Sequence, residues 1–447
     1  MLLGFAAAWG LYFLEAGGHR LLTIRIFLGV VVIQCLVYLL LLRSPLCPLN
    51  WRQGAALVFA MTWLSPSFLE TDQLRYIWDG LVQWQGVNPY RYAPAELLGD
   101  QNRVFAAINH KDLHTIYPPG AQILFALSAW MNPYFWGHLL PGPELLPAGP
   151  AAFWQYELGW KFLTGLLLAT CVWFWRGRRW DLVVAHPLFF FKGMVNAHVD
   201  ILLVFFLAMA LAALWTRRTE GPAVLALAGG ILSKYLPLIL LPLFIAAWSR
   251  RWGPARAASV VLLLTGVIAL FVGLYMGGAE GHMFSSMKVY GDHWYFFGYV
   301  HRFTADLLAV TGLSSNGIQA AKAVCALIGL VGAVGLFTLW YRQRISLRLA
   351  CLGLITLFFI LSPTLHPWYL LALFPVSLPY LRVLLTPVVW PALSLASVTF
   401  YVDNQDPAVI RWLVYTVVTF TLILDLRRLR RHIRPRLTVE GGIHVPA

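Results

Sequence analysis

The chain has 447 residues, 60% of them hydrophobic and 12% charged, with 33 lysines and arginines against 19 acids and a formal net charge of +14. A mean hydropathy of +0.70 excludes the two or three soluble domains that this length would otherwise suggest, and makes the chain a membrane protein. Basic residues beside membrane spans are a topology signal with acidic phospholipid headgroups as neighbours, so the positive charge implies membrane lipids as partners and no nucleic acid.

The apolar runs are continuous instead of alternating every second residue, which predicts an all-α, polytopic transmembrane helical bundle and not a barrel. Residues 1–65 read as N-terminal transmembrane helices. "MLLGFAAAWGLYFLE" is a short first span without the basic start or cleavage site of a secretory signal, and "LTIRIFLGVVVIQCLVYLLLL" is a full-length one. Residues 66–155 read as a large first extracytoplasmic loop with interfacial helices. Its first part, 66–119, holds six of the nineteen acids and breaks at "GVNPY", "YAP" and "YPPG", far longer than an ordinary connection. The stretch 120–155, with the chargeless "NPYFWGHLLPG", reads as lying in the interface.

Residues 156–427 form a bundle with a further outer loop at 277–315, and 428–447 a basic cytoplasmic tail. Placing "WRGRRW", "TRRTEG", "SRRWGPAR", "YRQRISLR" and "RRLRRHIRPR" inside gives about thirteen helices. "LVVAHPLFFF" and "AVLALAGGIL" are short for spans and suit half-helices, and 222–248 reads either as one helix or as two. The five cysteines show no metal-ligand spacing.

This topology brings five polar stretches to one membrane face: "TDQLRYIWDG", "KGMVNAHVD", "SKYLP", the 277–315 loop and "PTLHPWY". Ionisable groups at helix ends around a shared aqueous cavity mark a functional site in a membrane protein. Lys192 and Lys234 read singly as snorkelling anchors, but beside His198, Asp200 and Arg302 they suit an anion pocket. Trp368 and Tyr369 suit an interfacial belt, and His366 a helix end. Asp72 and Asp79 are seven apart, about 10 Å along one helix face, with Arg75 between them; the alternative for "TDQL" is a helix cap.

In order, "RYIWDG", "GVNPY", "YPPGAQ", "NAHVD", "SKYLP" and "HPWYLL" resemble the bacterial polyprenol-phosphate-mannose-dependent mannosyltransferases of the GT-C superfamily, over about residues 60–375. The resemblance implies a multi-spanning helical fold of GT-C type whose large first loop carries an essential acid, with Asp72 in the matching position. It implies transfer of a sugar, foremost mannose, from a polyprenyl-phosphate donor to a hydroxyl of a glycolipid, glycan or protein. The setting would be the periplasmic side of a bacterial inner membrane. Two features depart from the pattern: three apparent helices precede the loop where a minimal core has one, and Asp79 is a second acid beside Asp72.

The chemistry of such a transfer assigns further roles. Asp72 is the expected general base, with Asp79 as the acid that competes for the role. Lys192, Lys234 and Arg302 are the pool for the donor phosphate. His198, Asp200 and His366 orient sugar hydroxyls or the clamp. Trp78, Tyr90, Tyr117 and Tyr369 contact the sugar or pack the loop, which Arg75 shapes. Single displacement predicts inversion, while retention would need Asp79 as nucleophile. No obligatory metal is expected; Mg²⁺ or Mn²⁺ on Glu70, Asp72 and Asp79 is the alternative. A transporter or lipid flippase, and a polymerase or ligase using a lipid-linked donor, are the rival functions.

Overall fold

The computed structural model describes residues 1–44, 49–97, 103–132, 153–215, 220–314, 316–403 and 407–433. Among them the chain is all-helical. The only extended pairing is a pair of isolated bridges from Phe296 and Phe297 to Thr364. Among the described residues four helices are long and apolar enough to cross a bilayer: Arg20–Arg43, Pro254–Met276, Gly317–Tyr341 and Ala408–Leu429. The pair Phe189–Val195 and Asp200–Ala213, bent by 103°, makes a fifth if counted as one span.

The sequence-derived count of about thirteen spans is therefore finer than what the helices support. Leu158–Phe174 and Leu347–Leu361 are apolar but only 17 and 15 residues long, about 25 and 22 Å against a hydrocarbon core of about 30 Å. The long spans carry their leucines outward: Leu262, Leu330 and Leu413 are all more than half exposed. Such a surface is stable only against lipid or other apolar matter.

Helix Arg20–Arg43 sets the scale of the molecule. Twenty-four residues extend about 36 Å, and its two ends meet different chemistry. Beyond its C-terminal end, the Ser44 carbonyl accepts from Arg179 and Arg382. Arg428 reaches the Val383 carbonyl, and Arg250 the Tyr341 carbonyl. At its N-terminal end, Arg20 lines a cavity together with residues of the first large loop. This one helix therefore separates Arg179 and Arg382 from the cavity by about the thickness of a bilayer.

The loop is built around helix Asp72–Trp84, whose residues Gln73 to Val82 are all buried. It ends at Gln85, before Gly86 with φ +78°, where only glycine turns the chain without strain. Helix Pro119–Trp130 starts with proline in its first turn, where the missing N–H costs nothing. It packs on Asp72–Trp84 and on Leu158–Phe174. Phe125 and Gln122 are fully buried, so this part of 120–155 is inside the bundle instead of along its surface; 133–152 lie outside the described residues. Two glycines set the spacing. A Cβ on Gly80 would stand 2.3 Å from the Phe125 carbonyl oxygen, and one on Gly159 2.0 Å from that of Ser128.

The stretch 222–248 is two helices. Glu220–Ser233 stops at Lys234, and a 3₁₀ turn, Leu236–Leu240, leads into Leu241–Trp252. The last helix, Ala408–Ile433, runs past residue 428, so the beginning of the basic tail is helical, and 434–447 lie outside the described residues. Asp100 and most of "TRRTEG" are also outside them.

Candidate active site

A cavity of about 1140 Å³ opens at the loop end of the bundle. The five polar stretches expected to meet all contribute to it, with Asp72, His198, Lys234, Tyr290 and His366 as one representative of each, and Glu15, Arg20, Phe400 and Tyr401 line it as well. The one-face clustering expected from the sequence is thus a single shared space.

Asp72 is the first residue of its helix. Thr71 makes no side-chain cap to that helix, so the capping alternative for "TDQL" is not what the acid's position serves. Asn109 Nδ2 donates to Asp72 Oδ1 at 2.6 Å, and Oδ2 faces His198 Nε2 at 3.3 Å. On its other edge, His198 Nδ1 meets Asp200 Oδ2 at 2.9 Å. Lys234 Nζ donates to both Asp200 oxygens at 2.7 and 2.6 Å. A chain of four ionisable groups therefore runs Asp72–His198–Asp200–Lys234, and its Asp72 end is the most open carboxylate of the two, 24% exposed against 1% for Asp200.

Burial alone would raise the Asp72 carboxyl. The hydrogen bond and charge of His198, with the Asn109 amide, outweigh it and hold the group at about 2. Burial works against charge on His198, but its hydrogen bonds to Asp200 and Asp72 raise it above the ordinary histidine value. His366 goes the other way: burial pushes it down to about 3 and keeps it neutral.

Rings fix these groups in place. His198 stacks on Trp368 (centroids 4.4 Å, 24°), Trp368 on His366 (4.5 Å, 4°) and His366 on Phe296 (4.5 Å, 15°). Tyr76 closes on His198 edge-on at 5.9 Å. Lys234 Nζ lies 4.1 Å from the Tyr369 ring centre, and the Tyr369 and Tyr290 hydroxyls pair at 2.6 Å. Trp368 and Tyr369, which the sequence assigned to a belt, are walls of the cavity.

The turn carrying His198 is held from below. The π-helical turn Phe189–Val195 ends at Asn196, and Ala197 takes φ +47°, a strained conformation for a residue with a Cβ. Trp160 Nε1 donates to the Ala197 carbonyl at 2.7 Å and Gln73 Nε2 to that of Asn196 at 2.7 Å. Lys161 donates to the Val195 carbonyl, and its neighbour Glu157 accepts from Ser67 at 2.7 Å. Asn196 in turn donates to the Phe68 carbonyl at 3.1 Å.

Comparison with protein-family models, with curated proteins and with solved structures finds no match to this chain.

Several sequence-derived site residues lie elsewhere. Asp79 does not line the cavity. It is 1% exposed, with Oδ1 accepting from Arg75 Nε at 2.8 Å and Oδ2 from Gln122 Nε2 at 3.0 Å. Arg75 spends its other nitrogens on the His110 and Leu113 carbonyls at 3.1 and 3.0 Å, so the pair pins the segment that presents Asn109. Arg302 pairs with Asp306 on its own helix, each 53% exposed, and does not line the cavity. Trp78 is buried in a separate small core with Leu74, Ile77 and Val104. Tyr90 packs with Ala279 and Met283 and donates its hydroxyl to the Tyr117 carbonyl; Tyr117 itself lines the cavity. Lys192 is buried behind the wall, donating to Glu70 and lying 5.7 Å from the Trp368 ring centre.

Each of the three acids weighed as metal ligands thus has its own partner: Glu70 with Lys192, Asp72 with His198, Asp79 with Arg75. Among the described residues no three His, Cys, Asp or Glu side chains converge as metal ligands. Asn109, Tyr290 and Phe296 were missed by the sequence reading, since a loop asparagine and loop aromatics carry no pattern that marks them.

Proposed function

We propose that the cavity transfers a glycosyl group, foremost mannose, from a polyprenyl-phosphate donor to an acceptor hydroxyl, with inversion. The observation that carries this reading is the chain from Asp72 to Lys234. It supplies a carboxylate at the cavity surface, a histidine behind it and a cation within one continuous network. Of the other carboxylates that line the cavity, Glu70 and Asp200 are paired with lysines and nearly closed off, and Glu15 accepts from the Leu69 amide; with Asp79 outside the cavity, this favours direct displacement over a covalent intermediate, which would need a second free carboxyl about 5 Å from Asp72.

The cavity's apolar flank suits a lipid-linked donor. Leu236, Leu238, Ile239 and Phe358 line it, and Leu238 and Phe358 are each 44% exposed, so this wall is also part of the bundle's outer apolar surface. In this reading Lys234 and the neutral His366 face the donor phosphate, and Tyr369, Trp368 and Tyr117 contact the sugar. Asp72 takes the acceptor's proton. Lys192 acts indirectly by holding Glu70, and Arg302 has no part. With the basic ends toward the cytoplasm, the cavity faces the opposite side.

The bent pair Phe189–Val195 and Asp200–Ala213 is also what a transporter's discontinuous helix would present. One assay separates the two. Purified protein in proteoliposomes receives radiolabelled polyprenyl-phosphate mannose together with an alkyl mannoside. Glycoside formation or mannose release is the expected result. Donor relocation across a vesicle membrane without either product would replace transfer by transport.

A further inference from the structure

We propose that His198, not Asp72, is the final holder of the proton that leaves the acceptor hydroxyl, with Asp72 acting as its carrier. The inference rests on the reading of the cavity as a glycosyl-transfer site and adds a residue to that chemistry.

The geometry assigns the two roles separately. Both residues line the cavity, but Asp72 is the open one: its side chain is 24% exposed while that of His198 is 2%. A hydroxyl in the cavity therefore meets the carboxylate ahead of the imidazole. Asp200 is a carboxylate kept ionised by Lys234, so it can only accept, and His198 Nδ1 facing it at 2.9 Å carries the hydrogen. That leaves Nε2, 3.3 Å from Asp72 Oδ2, as the lone-pair edge. Trp368 stacked on one face and Tyr76 edge-on hold the ring in that orientation.

The charge balance gives the proton a reason to move on. The groups around His198 are Asp72 and Glu70 from the loop, Lys192 from the π-helical turn, Asp200 at the start of its helix, Lys234, and His366 from the last turn. Glu70 is matched by Lys192 and Asp200 by Lys234. With His198 and His366 neutral, Asp72 is the one unmatched charge, and a proton on His198 cancels it. A proton left on Asp72 would instead neutralise a carboxylate that the Asn109 amide favours in its ionised form.

The step balances. The anomeric carbon–oxygen bond to phosphate breaks, with its electron pair staying on the phosphate. The acceptor oxygen forms the new bond to the anomeric carbon. Its proton goes to Asp72 and from Asp72 Oδ2 to His198 Nε2, giving an imidazolium between two carboxylates. The proton returns to water through Asp72 after the products leave.

The test is a pH profile of kcat for mannose release from radiolabelled polyprenyl-phosphate mannose, with water or an alkyl mannoside as acceptor. His198 must start neutral, so the rate should fall on the acid side with a midpoint above 6.5, the ordinary histidine value. Asp200→Asn removes a carboxylate that favours the imidazolium and should move that midpoint to lower pH. His198→Gln should lower kcat by about a hundredfold or more, leave the KM for donor near wild type, and abolish the acid limb. A wild-type profile flat from pH 5 to 8 overturns the proposal, because a carboxylate base acting alone, at its ordinary value near 4, has no limb there. A limb that persists in His198→Gln, or that Asp200→Asn leaves in place, also overturns it. The wild-type profile decides even if the variants fail to fold. Absence of any mannose transfer by the wild-type protein would instead remove the glycosyl-transfer reading itself.

Discussion

Asp79→Asn separates a structural acid from a chemical one. The carboxylate receives two donors, Arg75 Nε at 2.8 Å and Gln122 Nε2 at 3.0 Å, one on each oxygen. Asparagine offers one oxygen and one NH₂, so either orientation points a donor at a donor. Gln122 cannot relieve this by turning its amide, because its Oε1 already accepts from Gln83 Nε2 at 3.1 Å. Arg75, with its side chain 6% exposed, is left with two carbonyls and no counter-charge. Removing one member of a buried pair costs about 3–5 kcal/mol, a large share of a total stability of about 5–15 kcal/mol. The assay is thermal unfolding in nanodiscs beside transfer rate per folded molecule. Asp79→Asn should unfold at clearly lower temperature, and molecules still folded should turn over at a substantial fraction of the wild-type rate. Replacing the pair together, Arg75→Met with Asp79→Leu, should recover part of the loss. An Asp79→Asn protein that melts like wild type and has no activity would refute this and return Asp79 to the chemistry.

Asp72→Asn should behave in the opposite way, lowering kcat by at least about a hundredfold in a protein that stays folded; near-wild-type turnover would remove Asp72 as the base. The same carboxyl links stability to pH. Its lowered value of about 2 means that the stabilisation, roughly 2–3 kcal/mol, is present above the unfolded value near 4 and is lost as pH falls through 2. Acid unfolding of wild type and Asp72→Asn should therefore converge toward low pH. Gly80→Ala should destabilise by about 1–3 kcal/mol or more, because its new Cβ meets the Phe125 carbonyl at 2.3 Å and two helices must move apart. Gly266→Ala, with nothing within 4 Å, should be neutral or slightly stabilising in the same melt.

The sequence by itself determined the class of molecule and the neighbourhood of its site. Continuous apolar runs admit only helices in a bilayer, because backbone groups there must pair within their own segment. Charge is costly inside and collects at helix ends, so five polar stretches that share the cavity were visible as interruptions, while Glu15 and Arg20, which also line it, were not singled out. Which charged residue does what was not visible. Asp72 and Asp79 differ by two turns of one helix, and local spacing treats them alike. Packing separates them in space: Gln122 and Arg75 enclose one, while His198, 126 residues away, and Asn109, 37 residues away, leave the other at the cavity. Lys234, an anchor if taken singly and a phosphate ligand if taken with its neighbours, is set by the end of its helix against Asp200, 34 residues back. Arg302 looked like a phosphate ligand until its own helix supplied Asp306. Composition and periodicity fix what must be hidden from lipid, since transfer energy depends on residue type. Pairing of buried charges depends on distance and orientation across helices, which only the folded chain sets.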